Sequence, residues 1–178
     1  LYSEVEKLSS ALRGLGVGKG DRVAGFMPNI PEAVIAMLAT TSIGAIWSSS
    51  SPDFGIKSVT DRFSQIEPKV IFSASAYLYN GKTFSSTDKL QKIIKELPTI
   101  EKVIIVDYLK TKPDYSEIPN GVDYSTLISE APDPLEFEQV PFDHPLYVLY
   151  TSGTTGLPKS IVHGTGGTLI QHKKEFLL

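Results

Sequence analysis

The sequence has no cysteine. That excludes disulfides and thiolate metal sites, and it suits a reducing compartment. Histidine is scarce, with three in the chain, and no histidine spacing or carboxylate pair reads as a metal-ligand set or an acid–base couple. A basic block is missing too: 17 Lys and Arg stand against 20 Asp and Glu, a net charge of −3. Nucleic acid is therefore not an expected partner, because neutralising phosphates takes clustered cations. The longest apolar region, Ala33 to Trp47, is too short and too often broken by Thr, Ser and Gly to span a bilayer. No charged-then-apolar leader opens the sequence, so a cytoplasmic (cytosolic) location is the expectation.

What remains is a globular composition. The 178 residues, 41% hydrophobic and 21% charged, suffice for one core or for part of a larger one. Leu1 already lies in a helical pattern, and the closing HKKEFLL also reads as helix, so a fragment is expected.

Val5, Leu8, Leu12 and Leu15 recur at three- and four-residue steps, the mark of an amphipathic helix. Gly14, Gly16 and Gly18 end it, and Asp21 to Met27 reads as a short buried strand. Pro31 opens a second helix, followed by the strand AIWS. The pattern continues with a helix over Ile56 to Gln65, the strand KVIFSA, a helix over Thr87 to Leu97 and the strand KVIIVD. Five of the twelve prolines fall between Lys110 and Asp143, which marks that segment as loop-rich, with one short helix around Tyr124 to Glu130. The strand LYVLY, a Gly-rich loop, the strand SIVHG and a helix from about Thr168 complete the chain. Strands alternating with helices predict an α/β fold of layered βαβ units around a largely parallel sheet. Near-continuous apolar strands such as VIIV predict that both faces of that sheet are covered.

The loop TSGTTGLPK, Thr151 to Lys159, is the strongest chemical signal. Backbone amides crowded into a Gly-rich turn form a concave nest for anionic oxygens. Gly153 and Gly156 permit left-handed torsions and close ligand approach. Thr151, Ser152, Thr154 and Thr155 add hydroxyl donors, and Lys159 adds a point charge. A loop directly after a strand lies at the carboxyl edge of the sheet, where α/β proteins bind ligands. The P-loop of NTPases does not fit, since it needs Gly immediately before Lys and Pro158 holds that place. Gly18-Lys19-Gly20 lacks the hydroxyl that motif requires and reads as a helix cap, and the strand ending at Asp107 precedes the loop, the reverse of the NTPase order.

Tyr150 to Lys159 resembles the phosphate-binding motif of the adenylate-forming enzymes, the group of acyl-CoA synthetases, luciferases and peptide-synthetase adenylation domains. The stretches SSSSPDFG, DRFSQIEPKVIFSA, YNGK, HPLYVLYTSGTTGLPKSIVHG and GGTLIQHKKE are more similar to its acetoacetate-activating members than to its acetate-activating ones. The likeness runs over essentially the whole chain. It implies that residues 1–178 form part of the large N-terminal AMP-binding domain, with the C-terminal lid domain absent.

The resemblance also implies a reaction. Acetoacetate attacks the α-phosphorus of ATP, pyrophosphate leaves, and the coenzyme A thiol displaces AMP from the acyl-adenylate. Thr151, Ser152, Gly153, Thr154, Thr155, Gly156 and Lys159 match the motif and would cradle the ATP phosphates, with Mg²⁺ sharing the task. Ser160 stands where many relatives have Gly. The region matching YNGK carries two basic residues for coenzyme A in acetate-activating relatives; here Lys82 is basic and Tyr79 stands at the other place. Lys82 is thus a coenzyme A candidate beside its reading as a solvated loop lysine, and Arg62 reads as a helix-surface arginine. His163 and Gly164 could line the acyl pocket, or His163 could be a packed strand end. His144 and His172 are expected to face solvent or a neighbouring helix. Residues that hold adenine, a Mg²⁺ glutamate and a lid lysine lie downstream in the group, so the chain alone is expected to be inactive. Two alternatives stay open: activation of another short acid such as acetate or propionate, and a truncated nucleotide-binding product without catalysis.

Overall fold

The computed structural model describes residues 1–110, 114–129, 132–151 and 156–177. Helix α1 (Tyr2–Gly14) buries Val5, Leu8 and Leu12, as its apolar spacing requires. It ends where Gly16 takes a φ of +78°. There the Gly16 N–H donates to the Arg13 carbonyl and the Val17 N–H to the Leu12 carbonyl, both at 2.9 Å. This is a Schellman cap, with Val17 packed under Leu12, and it turns the chain into β1 (Arg22–Phe26).

Pro31 at the first turn opens α2 (Pro31–Ser42), followed by β2 (Ile46–Ser50), α3 (Ile56–Phe63) and β3 (Val70–Ala74). A small antiparallel hairpin, β4 (Ala76–Tyr79) and β5 (Lys82–Ser85), stands apart as its own two-stranded sheet. Then come α4 (Thr87–Glu96), β6 (Lys102–Val106), β7 (Gly121–Asp123) and the one-turn α5 (Tyr124–Leu127). The chain closes with β8 (Pro145–Thr151), β9 (Lys159–Gly164) and α6 (Thr165–Leu177).

Among the described residues the main sheet has the order β7-β6-β3-β1-β2-β8-β9, and every neighbouring pair is parallel except β8 with β9. One face carries α1, α2 and α5 over Val23, Trp47, Phe72 and Ile104. The other carries α3 and α4 over Ala24, Phe26, Ile71, Val103 and Ile105. All five residues of β3 are buried, which is why it reads as an unbroken apolar run. The expected α/β fold with a largely parallel sheet is thus present.

Three local expectations differ. Asn80 and Gly81 both have positive φ, +47° and +71°, so YNGK is the two-residue turn of the β4–β5 hairpin, an element absent from the sequence reading. Strand β7 lies inside the segment read as loop-rich, and α6 begins at Thr165, three residues before the expected start. Residues 132–143 of that segment are loop, but a fixed one. It runs along α1 and α2, with the Asp133 N–H on Ser10 Oγ (3.1 Å), Arg13 on the Glu136 carbonyl (3.0 Å) and the Glu138 N–H on the Ser42 carbonyl (2.8 Å).

Gly25 in β1 is a close-approach glycine. A Cβ there would stand 2.7 Å from the Trp47 ring, which itself packs on Phe72 at 6.1 Å between centroids. Gly25→Ala should therefore destabilise the chain by about 1–3 kcal/mol, as overpacking does. Urea unfolding followed by Trp47 fluorescence measures it, and an unchanged midpoint would show that the ring yields freely.

Candidate functional site

Because β1, β2, β3, β6 and β8 run the same way, their carboxyl ends lie on one edge of the sheet. The order reverses at β1, with β2 on one side and β3 on the other, the arrangement that opens a ligand crevice at that edge. The Thr151–Lys159 loop leaves β8 there. It does not lead into a helix. It is the turn of an antiparallel hairpin in which Thr151 pairs with Lys159. Among the described residues the element that follows it is β9, so the loop–helix anion site of other α/β proteins is not the arrangement here.

Thr151, Gly156 and Lys159 are exposed, and Ser152, Gly153, Thr154 and Thr155 lie outside the described residues. Cross-strand pairing places Thr151, Lys159 and His163 on one face of the β8–β9 ribbon. Lys159 and His163 are four residues apart in a strand, or about 13 Å. They belong to separate parts of any site. His163 is half-buried, its ring tilted against Tyr147 with centroids 5.1 Å apart. Gly164, which pairs with Pro145, backs onto Phe142 and Asp143.

The carboxyl end of α3 meets both feet of the loop, a contact the sequence did not reveal. Tyr150, one residue before Thr151, donates its hydroxyl to the Arg62 carbonyl at 2.7 Å. Gln65 donates Nε2 to the carbonyl of Pro158, one residue before Lys159, at 3.0 Å. The Arg62 carbonyl, in the last turn of α3, also accepts the Gln65 N–H at 3.1 Å, so the Tyr150 hydroxyl uses its second lone pair. Burial pushes the Tyr150 phenol up in pKa, against the opposing influence of Ser48 and Arg62, so it stays a donor at neutral pH.

Arg62 departs from the surface reading. It is half-buried, its guanidinium 5.0 Å from the Phe54 ring centroid and 5.9 Å from that of Tyr150, and it donates to the Ser58 carbonyl and hydroxyl. Lys89 on α4 in turn fixes the β2–α3 loop by donating to the Pro52 carbonyl at 2.9 Å.

Lys82 is exposed beside the hairpin turn, opposite Tyr79. His144 differs from expectation: it is half-buried, and its Nε2 lies 2.9 Å from the Gly44 carbonyl oxygen. Its own carbonyl accepts from the Thr165 N–H and hydroxyl, which locks the start of α6. His172 is exposed on α6. Among the described residues no group of three or more His, Cys, Asp or Glu is placed to hold a metal ion, and no helix is long and apolar enough to cross a membrane.

A second hollow, of about 610 Å³, opens at the ends of β6 and β7 and is lined by Glu32, Asp107, Tyr115, Asp123 and Tyr124 among others. Burial, and then Asp107 and Asp123, push the Tyr115 phenol up to about 12. Burial, and then Glu4 and Glu32, push Tyr124 up to about 12 as well.

Comparison with known proteins gives a consistent result. The family model described as AMP-binding enzyme matches residues 1–175. Acetoacetyl-CoA synthetase of Macaca fascicularis is 55% identical over 184 residues, which is 100% of this chain and 27% of the relative. Acetoacetyl-coenzyme A synthetase of Rhizobium meliloti (strain 1021) is 49% identical over 98% of this chain and 27% of its own length. Among solved structures, acetoacetyl-CoA synthetase from Streptomyces lividans matches with a TM-score of 0.90 and 48% identity, covering 98% of this chain and 26% of that one. The chain thus spans 26–27% of the length of these relatives.

The two raised phenols make a pH prediction. An unfolded tyrosine loses its proton near 10.0, whereas these hold it to about 12 when folded. The folded state then binds more protons than the unfolded state between those values, so stability is full below pH 10 and falls as pH rises toward 12. Tyr124→Phe should flatten that fall in urea midpoints measured across the range, and an identical slope would contradict the shift.

Proposed function

We propose that this chain, which belongs to the AMP-binding enzyme family, is the phosphate-gripping portion of an acetoacetate–CoA ligase. The observation that carries the reading is the 49–55% identity, over all or nearly all of the chain, to acetoacetyl-CoA synthetases of a mammal and a bacterium. The substrates are acetoacetate, ATP and coenzyme A. The acetoacetate carboxylate attacks the α-phosphorus of ATP; the bond to the β-phosphate breaks, and pyrophosphate leaves with the electron pair. The coenzyme A thiol then attacks the acyl carbon, loses its proton, and expels AMP.

This chain's part lies in the first step. Negative charge grows on the departing pyrophosphate, so donors fixed beforehand around it lower the barrier. Thr151, Ser152, Gly153, Thr154, Thr155, Gly156 and Lys159 supply those donors. The position of Thr151 and Lys159 at the carboxyl edge of the parallel sheet supports the assignment. Lys82, exposed on its hairpin, is the coenzyme A candidate, and His163 with Gly164 the acyl-side candidates. Mg²⁺ carried by the nucleotide phosphates would share with Lys159 in neutralising the charge on the departing pyrophosphate. The cysteine-free composition suits the cytosol as the place of action.

Two measurements test the reading. In a full-length protein carrying this chain, Lys159→Ala should lower acetoacetate-dependent ATP–pyrophosphate exchange by roughly 10²–10³, the cost of one lost preorganised donor. An unchanged rate removes Lys159 from the cradle, and a rate higher with acetate than with acetoacetate in the parent protein reassigns the acid. Residues 1–178 alone should show no exchange, since this chain has no assigned adenine-binding residue. Robust exchange by the isolated chain would overturn that expectation.

A further inference from the structure

We propose that Gln65 and Arg62 are positioning residues that clamp the two feet of the Thr151–Lys159 loop and so fix where the phosphate cradle sits. The inference rests on the functional reading above and adds to it the device that holds the loop.

The need for a clamp follows from the strand pairing. Among the described residues β8 is bridged to β2 only at Trp47 and Tyr147. From Val148 to Thr151, the described ladder partner of β8 is β9. The hairpin ladder fixes the feet relative to each other; tying the hairpin to the helices beside the parallel sheet is a separate task. Side chains take over that task. Ser48 Oγ donates to the Val148 carbonyl at 2.7 Å, Tyr150 reaches the Arg62 carbonyl at 2.7 Å, and Gln65 reaches the Pro158 carbonyl at 3.0 Å.

One contact from the end of α3 falls at Tyr150, on the strand side of the Thr151–Lys159 pair, and the other at Pro158, on its loop side. Both feet are therefore tied to the same rigid body. Arg62 stiffens that body, since its flat guanidinium lies near the Phe54 and Tyr150 rings and is anchored by Ser58. Gln65 is braced by a second donation, to the Asp61 carbonyl at 2.7 Å. Preorganised donors lose their value steeply when displaced, with a 1 Å error costing up to about 10²-fold in rate.

The test is steady-state ATP–pyrophosphate exchange by the full-length protein and its Gln65→Ala, Gln65→Met and Arg62→Lys variants. Pyrophosphate and acetoacetate are varied separately, and thermal midpoints are measured alongside. Gln65→Met keeps the bulk and loses the donor; Arg62→Lys keeps the charge and loses the plane. All three should lower kcat/KM for pyrophosphate by about tenfold, with the KM for acetoacetate and the thermal midpoint unchanged. Gln65 is exposed, so its two variants carry the test even if an Arg62 variant folds poorly.

Wild-type kinetics in Gln65→Met overturn the clamp and leave only packing. Rate loss that tracks a falling thermal midpoint also overturns it, as general support of the fold. A wild-type protein that exchanges pyrophosphate with no short acid at all refutes the functional reading instead. In that case calorimetry with pyrophosphate decides the clamp: weaker binding by Gln65→Ala supports it, and equal or absent binding rejects it.

Discussion

The structure depends on the demand that a parallel sheet be covered on both faces. β1 sits at its centre, paired with β2 and β3, and alternate side chains enter opposite cores: Val23 under α1 and α2, Ala24 and Phe26 under α3 and α4. Gly25 gives its place to the Trp47 ring. Parallel neighbours cannot be joined by tight turns, so each return passes through a helix or a long crossover. That is why residues 132–144 run as a fixed loop along α1 and α2 before β8 enters beside β2. It is also why Thr151 emerges at the same edge as the ends of β1, β2 and β3.

At that edge the chain turns back as a strand. A loop followed by a helix would bring aligned peptide dipoles to bear on the anion. On the reading proposed above, a loop followed by β9 would rely on its own amides, its hydroxyls and Lys159, whose placement follows from the hairpin. The burden shifts from backbone geometry inside one element to contacts between elements. The hydroxyl of Tyr150, kept protonated by burial, is one such contact.

The helices and the main strands were legible because their patterns are local. Val5, Leu8 and Leu12 announce α1, and the unbroken apolar run of β3 announces a strand buried on both sides. The β4–β5 hairpin was not read, although Asn80-Gly81 is a strong turn signal: its strands are four residues each, β5 is fully exposed, and YNGK drew a ligand interpretation. β7 has three residues and no pattern of its own; it is a strand only because β6 offers it an edge. The loop itself was legible from Thr151 and Lys159. Its supports were not, because Tyr150 meets Arg62 across 88 residues and Gln65 meets Pro158 across 93, and contacts at such separations leave no periodic trace.

The same separation explains the character of Arg62. A solvated arginine on a helix surface is free to be Lys, since only charge and solubility are asked of it. Arg62 instead has its face near two rings and its nitrogens fixed by Ser58, an arrangement that a guanidinium satisfies and an ammonium on a flexible stem does not. One face of β8 is thereby packed, with Val148 buried against the α3 and α4 core, while Leu149 and Ile161 on the other face remain exposed. Among the described residues, α3 and the turn after it hold the two feet of the loop. On the reading proposed above, a nucleotide would be met on the face that carries Lys159 and His163 together with Leu149 and Ile161.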